Sequence, residues 1–177
     1  MKPVGASVAI GWDSETGEWG AVALGYKNKA MGYSSFAVGK DVQAYNIAEV
    51  ALGFDNYNTD GKTKEEFKLT GQSEFPINDK QLFSIGNGNK KQKTNALIVL
   101  RNAKTGIGLP TDEVTPANSK PTEMLDVNGN VRVRGEENTA GVAQGGQCTH
   151  EGTITYKKEE GNFYGCTPNG WKKLNAE

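Results

Sequence analysis

The sequence predicts an all-β chain of thin, extended build, on three observations. A five-residue pattern of alternating apolar and small residues recurs four times at a spacing of 14 residues. Glycine supplies 23 of the 177 residues while hydrophobic side chains reach only 36%, too sparse and too scattered for an ordinary compact core. The remaining apolar segments are short β-prone runs broken by Asn-Gly, Asp-Gly and Pro-Asn-Gly turn signals.

The repeat occupies residues 1–57. Ser7-Val8-Ala9-Ile10-Gly11 aligns with Ala21-Val22-Ala23-Leu24-Gly25, with Ser35-Phe36-Ala37-Val38-Gly39 and with Glu49-Val50-Ala51-Leu52-Gly53. Alternation at a period of two is the signature of a strand, not a helix. The invariant Ala9, Ala23, Ala37 and Ala51 must sit where nothing larger fits. The invariant Gly11, Gly25, Gly39 and Gly53 must turn the chain or let backbones approach closely. Half a period on, Thr16, Ala30 and Ala44 align more loosely. Fourteen residues leave room for two short strands and two tight bends, so successive repeats are expected to pair in parallel and stack over roughly 15–20 Å. Such a stack buries few apolar atoms, and the crowded alanine row predicts that a further chain covers that face. Cyclic symmetry is the simplest closed solution; the alternative is a monomeric solenoid with a solvated small-residue face.

The x-Val-Ala-Ile/Leu-Gly pattern at this period resembles the head repeats of YadA-type trimeric autotransporter adhesins, and the same repeats in phage tail fibres. The resemblance covers roughly residues 5–57. It implies a left-handed parallel β-roll packed three to a trimer. Ala30-Met31-Gly32 fits the half-repeat of that family, whereas Ala44-Tyr45-Asn46 lacks its Gly and Ser14–Gly20 is irregular.

Residues 58–81 are polar and read as a connector or exposed insertion, with Thr63–Leu69 as a short helix capped by Thr63 and Glu66. Residues 82–135 carry two expected hairpins. One joins Leu82–Ile85 to Asn95–Leu100; the other folds Leu125–Arg134 about Asn128-Gly129, the dipeptide a tight type I′ turn favours. Ile85-Gly86-Asn87-Gly88, Asn95-Ala96-Leu97, Gly106-Ile107-Gly108 and Leu125–Val131 resemble a recurring piece of tail-fibre proteins and trimeric surface fibres. That likeness implies an intertwined, hairpin-rich stalk wound about a three-fold axis. Gly86-x-Gly88 is a poor phosphate loop, having no helix behind it and no Gly-Lys-Ser/Thr.

Residues 136–147 read as a Gly-, Gln- and Ala-rich linker, and 148–177 as a small β-meander with strands near Gly152–Tyr156, Asn162–Cys166 and Gly170–Leu174. This piece resembles the short Cys/Trp modules at the ends of fibre-like proteins. Cys148 and Cys166 are the only cysteines. A disulfide between them would staple a module too small to build its own core, contribute roughly 3 kcal/mol and place the chain in an oxidising space. Free thiols, a Cys/His nucleophile and a zinc site using His150 are the alternatives, although structural zinc wants four ligands and only three Cys and His residues exist.

Twenty basic residues against 21 acidic ones leave no excess to condense onto nucleic acid. No apolar run is long enough to span a bilayer. No secretion signal opens the chain, so the expectation is a piece of a longer fibre, joined to the rest, or to a baseplate, through an upstream part. With one His and no paired carboxylates evident, neither an enzyme nor a cofactor protein is expected; Asp126 and Asn128 lack the twelve-residue loop of a calcium site. The expected role is an extracellular homotrimer that binds a cell-surface glycan or protein receptor, as a tail fibre, an injection-apparatus fibre or a bacterial adhesin. Its contact candidates are Trp12, Trp19, Tyr26, Tyr33, Tyr45, Tyr164 and Trp171, since aromatics offer rigid area with a polar handle. A structural spacer carrying another domain is the alternative, and a glycan-degrading tip a more distant one.

Overall fold

The computed structural model describes residues 6–60, 78–112, 114–133 and 142–174. It is all-β, with no α-helix among the described residues. The chain divides into two compact units, residues 1–129 and 130–177. The expected helix at Thr63–Leu69 lies outside the described residues.

The repeats build seven strands: β1 (Val8–Ile10), β2 (Glu15–Thr16), β3 (Val22–Tyr26), β4 (Lys29–Ala30), β5 (Phe36–Lys40), β6 (Gln43–Ala44) and β7 (Val50–Phe54). Odd strands pair in parallel in the order β1-β3-β5-β7, and even strands in the order β2-β4-β6. The register is the sequence repeat itself: Ala23 faces Ala37, Ala37 faces Ala51, and Gly25, Gly39 and Gly53 align in turn. Each repeat therefore gives one strand to each of two sheets and bends twice. At one bend Asp13, Lys27, Asp41 and Asp55 all take positive φ, between 43° and 56°. At the other, Gly20, Ser34 and Ala48 do the same. Only short polar residues and glycine visit this region readily. Stacking holds it: the N–H groups of Lys27, Asp41 and Asp55 donate to the carbonyls of Trp12, Tyr26 and Lys40 in the repeat before. The glycine row is fixed by both backbone angle and space. Gly39 has a φ of 136°, and a Cβ there would lie 1.9 Å from the Gly53 carbonyl oxygen.

The alanine row faces inward, which corrects the expectation that another chain covers it. Ala23, Ala37 and Ala51 are 0% exposed within one chain, clustered with Ala21, Ala30, Val42 and Ala44. The cover is the chain's own second sheet, because two bends in 14 residues bring the strand pair face to face. Ala9 is the exception: it lies in the end strand and is exposed.

The larger sheet continues past the repeats through β8 (Gln81–Asn87), β9 (Asn95–Leu100), β10 (Thr105–Ile107) and β11 (Leu125–Val127). Phe83-Ser84-Ile85-Gly86 pairs in parallel with Val50-Ala51-Leu52-Gly53, serving as a fifth copy of the pattern after an intervening segment. β8 and β9 form the expected hairpin. The second expected hairpin does not form among the described residues. β11 pairs in parallel with β10 instead, and residues 131–133 form no strand. β11 thereby ends the sheet as its edge strand, and the Asn128 N–H and amide Nδ2 donate to the carbonyls of Ile107 and Gly108, holding the chain beside β10 where the turn was expected.

In the second unit β12 (Ile154–Lys157), β13 (Asn162–Thr167) and β14 (Gly170–Lys173) form the expected antiparallel meander. A Cys148–Cys166 disulfide joins its central strand to the preceding segment. Tyr164 and Cys166 are buried on the face that strand shares with the disulfide.

Substituting Ala37 with Leu is expected to overpack the gap between the sheets and lower stability by about 1–3 kcal/mol. The same change at exposed Ala9 should stay within about 0.5 kcal/mol. Denaturant unfolding of the two variants checks this, and equal losses would contradict the burial of the row.

Candidate functional site

The outer face of the eight-stranded sheet is the main candidate surface of the first unit. With alanine inside, the flanking residues of each pentad point outward. One row runs Val8, Val22, Phe36, Val50, Phe83, Val99 in register. A second runs Ile10, Leu24, Val38, Leu52, Ile85, Leu97, Ile107, Val127. Every one of these side chains is half-buried or exposed, up to 62% at Ile10. Monomeric proteins rarely leave so continuous an apolar stripe open to water.

The aromatic candidates are dispersed. Trp12 is 70% and Tyr26 40% exposed. Tyr26, Lys40 and Phe54 follow one another in register, with Trp12 at the equivalent place in the first repeat. The Lys40 ammonium lies 5.7 Å from the Tyr26 ring centre and 4.7 Å from that of Phe54, and Lys27 lies 5.5 Å from Tyr26. These are cation–π distances. Trp19, Tyr33 and Trp171 are half-buried. Tyr45 and Tyr164 are buried at 8% and 3%, so neither presents a contact surface. The Tyr164 hydroxyl donates to Glu160 Oε2 at 2.5 Å. Lys157 and then Tyr164, each donating to Glu160, hold its carboxyl below the usual range.

A polar cluster closes the repeats where β7 gives way to β8. Glu49 takes the place held by Ser7, Ala21 and Ser35 in the other repeats, and it is 0% exposed. Its Oε2 accepts the N–H groups of Tyr45 and Asn46 at 2.9 and 2.8 Å. Its Oε1 accepts Gln81 Nε2 at 2.8 Å. Gln81 Oε1 in turn accepts the N–H and hydroxyl of Thr59. Asp60 Oδ2 accepts Asn46 Nδ2 and the Gln81 N–H, both at 2.8 Å, and Asp60 Oδ1 meets Lys120 Nζ at 2.7 Å. Burial pushes the Glu49 carboxyl up to about 8, against the hydrogen bonds from Asn46 and Tyr45 that favour its ionised form; the nearby Asp60 charge raises it further. The sequence reading passed over this cluster. Its one signal was a carboxylate at a position otherwise held by small residues. Glu49 and Asp60 are brought into one network, but both carboxyl groups are sealed from solvent, so they do not form the open acid pair a glycosidase requires.

Cys148 and Cys166 are consumed in the disulfide, which removes both as thiolate ligands or nucleophiles. His150 Nδ1 is 2.9 Å from Thr149 Oγ1. No protein-family model matches the chain, and neither a curated protein nor a solved structure matches it.

Because Glu49 binds its proton more tightly folded than unfolded, its stabilising contribution is complete below about pH 4.5 and is lost as pH rises towards about 8. The expected slope is at most about 1.4 kcal/mol per pH unit. Glu49→Gln should flatten that slope while costing about 1–3 kcal/mol, since its amide nitrogen would confront Gln81 Nε2. Thermal unfolding across this pH range checks both. Reducing the disulfide is expected to cost the second unit roughly 3 kcal/mol, read as faster amide exchange in β13 with the first unit unchanged.

Proposed function

We propose that the chain is one protomer of an extracellular, elongated homotrimeric fibre that attaches to a glycan or protein receptor on a cell surface, and that it is not an enzyme. The observation that carries this reading is the two-row apolar stripe. Its alanine-lined interior is complete within one chain, so the uncovered large side chains are left for a partner. The stripe is only two residues wide and repeats along the sheet. Three such stripes converging on an axis bury one another in a closed arrangement, and cyclic closure is the usual solution for identical chains. The 14-residue parallel register supports a left-handed β-roll, in keeping with the resemblance to trimeric adhesin and tail-fibre repeats. The disulfide supports an oxidising, extracellular setting. Trp12 and Tyr26 are the receptor contacts this reading favours in the first unit.

A pure spacer is the second reading. It draws support from the burial of Tyr45 and Tyr164, which thins the aromatic surface available for contact.

In sedimentation equilibrium the protein should run as three chains of 19.0 kDa. Val38→Asp combined with Leu52→Asp should yield single chains that keep their β circular dichroism. A wild-type mass of one chain would remove the trimer. Cell attachment that falls several-fold in Trp12→Ala/Tyr26→Ala favours the adhesin over the spacer, and attachment by neither protein favours the spacer.

A further inference from the structure

The second unit has an apolar face that its own core does not use. Tyr164, Cys166 and the disulfide lie on one face of the meander. Residues 144–146 run along the free edge of β14: the Gly145 N–H donates to the Trp171 carbonyl, the Trp171 N–H to the Gly146 carbonyl, and the Lys173 N–H to Gln144 Oε1. Side chains alternate across a strand, so Ile154, Tyr156, Phe163 and Leu174 point the other way. There Tyr156 and Phe163 sit directly opposite each other, with ring centres 5.0 Å apart and planes tilted by 53°. Phe163, Ile154 and Leu174 are exposed.

Residues 130–133 wall this face into a concavity of about 430 Å³, lined by Asn130, Val131, Arg132, Val133, Tyr156 and Phe163. That volume falls in the small-molecule range of roughly 300–1,000 Å³. Its charge is one-sided. Arg132 contributes a guanidinium, Lys172 lies exposed on the same face of the meander, and no carboxylate among the described residues lines the concavity. Glu160 is turned to Lys157 and Tyr164 instead.

We propose that this groove binds an acidic saccharide, with the carboxylate of a uronic acid-type sugar on Arg132, its ring on Tyr156 and Phe163, and its hydroxyls at Asn130. This rests on the attachment reading above and names its ligand class. A guanidinium pairs with a carboxylate through two parallel hydrogen bonds. Aromatic faces suit the C–H edges of a pyranose ring. Two rings tilted by 53° form no flat slot for a nucleobase, and a single lining guanidinium matches one negative charge better than a phosphate.

The test titrates the full chain with tetragalacturonate, maltotetraose and adenosine monophosphate by calorimetry, and follows Arg132 Nε and the Tyr156 ring by NMR. The expected result is binding of tetragalacturonate at least tenfold tighter than of maltotetraose, with Arg132 Nε shifted and the affinity weakened by added salt. Arg132→Gln should lose about tenfold or more; as an exposed side chain it leaves the fold intact, verified by unchanged thermal unfolding. Phe163→Leu, which keeps an apolar side chain, should weaken both sugars. Equal binding of the acidic and neutral sugars, tighter binding of the nucleotide, or an unchanged affinity in folded Arg132→Gln overturns the proposal. The two readings fail separately. Cells bound equally by wild type and Arg132→Gln, with tetragalacturonate bound by neither, sink the groove and spare attachment. Tetragalacturonate bound by wild type, lost in Arg132→Gln, with no cell bound at all, supports the groove and removes attachment.

Discussion

The gap between the two parallel sheets admits little more than methyl groups, and the rest of the first unit follows from that. Ala23, Ala37 and Ala51 meet Ala30 and Ala44 across it, with Val42 the largest side chain in the cluster. At the alanine positions of the odd strands an interior this shallow leaves no space for a larger side chain. Val, Leu, Ile and Phe are driven to the outer face of the same strands, where they form two continuous rows. In an ordinary sandwich the large apolar residues are inside and the small ones tolerated. Here the order is inverted, and apolar surface appears on the outside as a direct consequence of how close the backbones approach.

Much of this was legible because a 14-residue repeat is its own register. Once Ala and Gly recur without exception, the parallel pairing needs no further information. What the repeat does not state is which face is inside. Small residues conserved in a row fit a tight interior and a tight interface equally well, and only the path of the half-repeat strands distinguishes them. The fifth copy, Phe83-Ser84-Ile85-Gly86, was hidden because Ser replaces Ala and because Ala51 and Ser84 are 33 positions apart rather than 14. The failed hairpin at Asn128-Gly129 shows the limit of turn chemistry. A favoured dipeptide permits a reversal, but the available ladder partner decides whether one forms.

The candidate sites were less legible than the fold. Aromatic identity identified Trp12 and Tyr26, which are exposed, and equally Tyr45 and Tyr164, which are not. Nothing in the residue type separates these cases; exposure is set by neighbours distant in sequence. Glu49 and Arg132 share one reason for being illegible in the sequence. Glu49 acquires meaning from donors that arrive as far away as Gln81, and Arg132 from rings on strands more than twenty residues later.

Identical corners give the first unit a modular architecture. Each repeat enters and leaves through the same two left-handed bends, at Asp13, Lys27, Asp41 and Asp55 and again at Gly20, Ser34 and Ala48. A whole repeat can thus be gained or lost without turning any side chain to the other face, whereas a single-residue slip would exchange methyls for leucines along every later strand. Evolution can lengthen or shorten such a column of repeats only in quanta of fourteen residues, and within it point insertions are tolerable only at a corner.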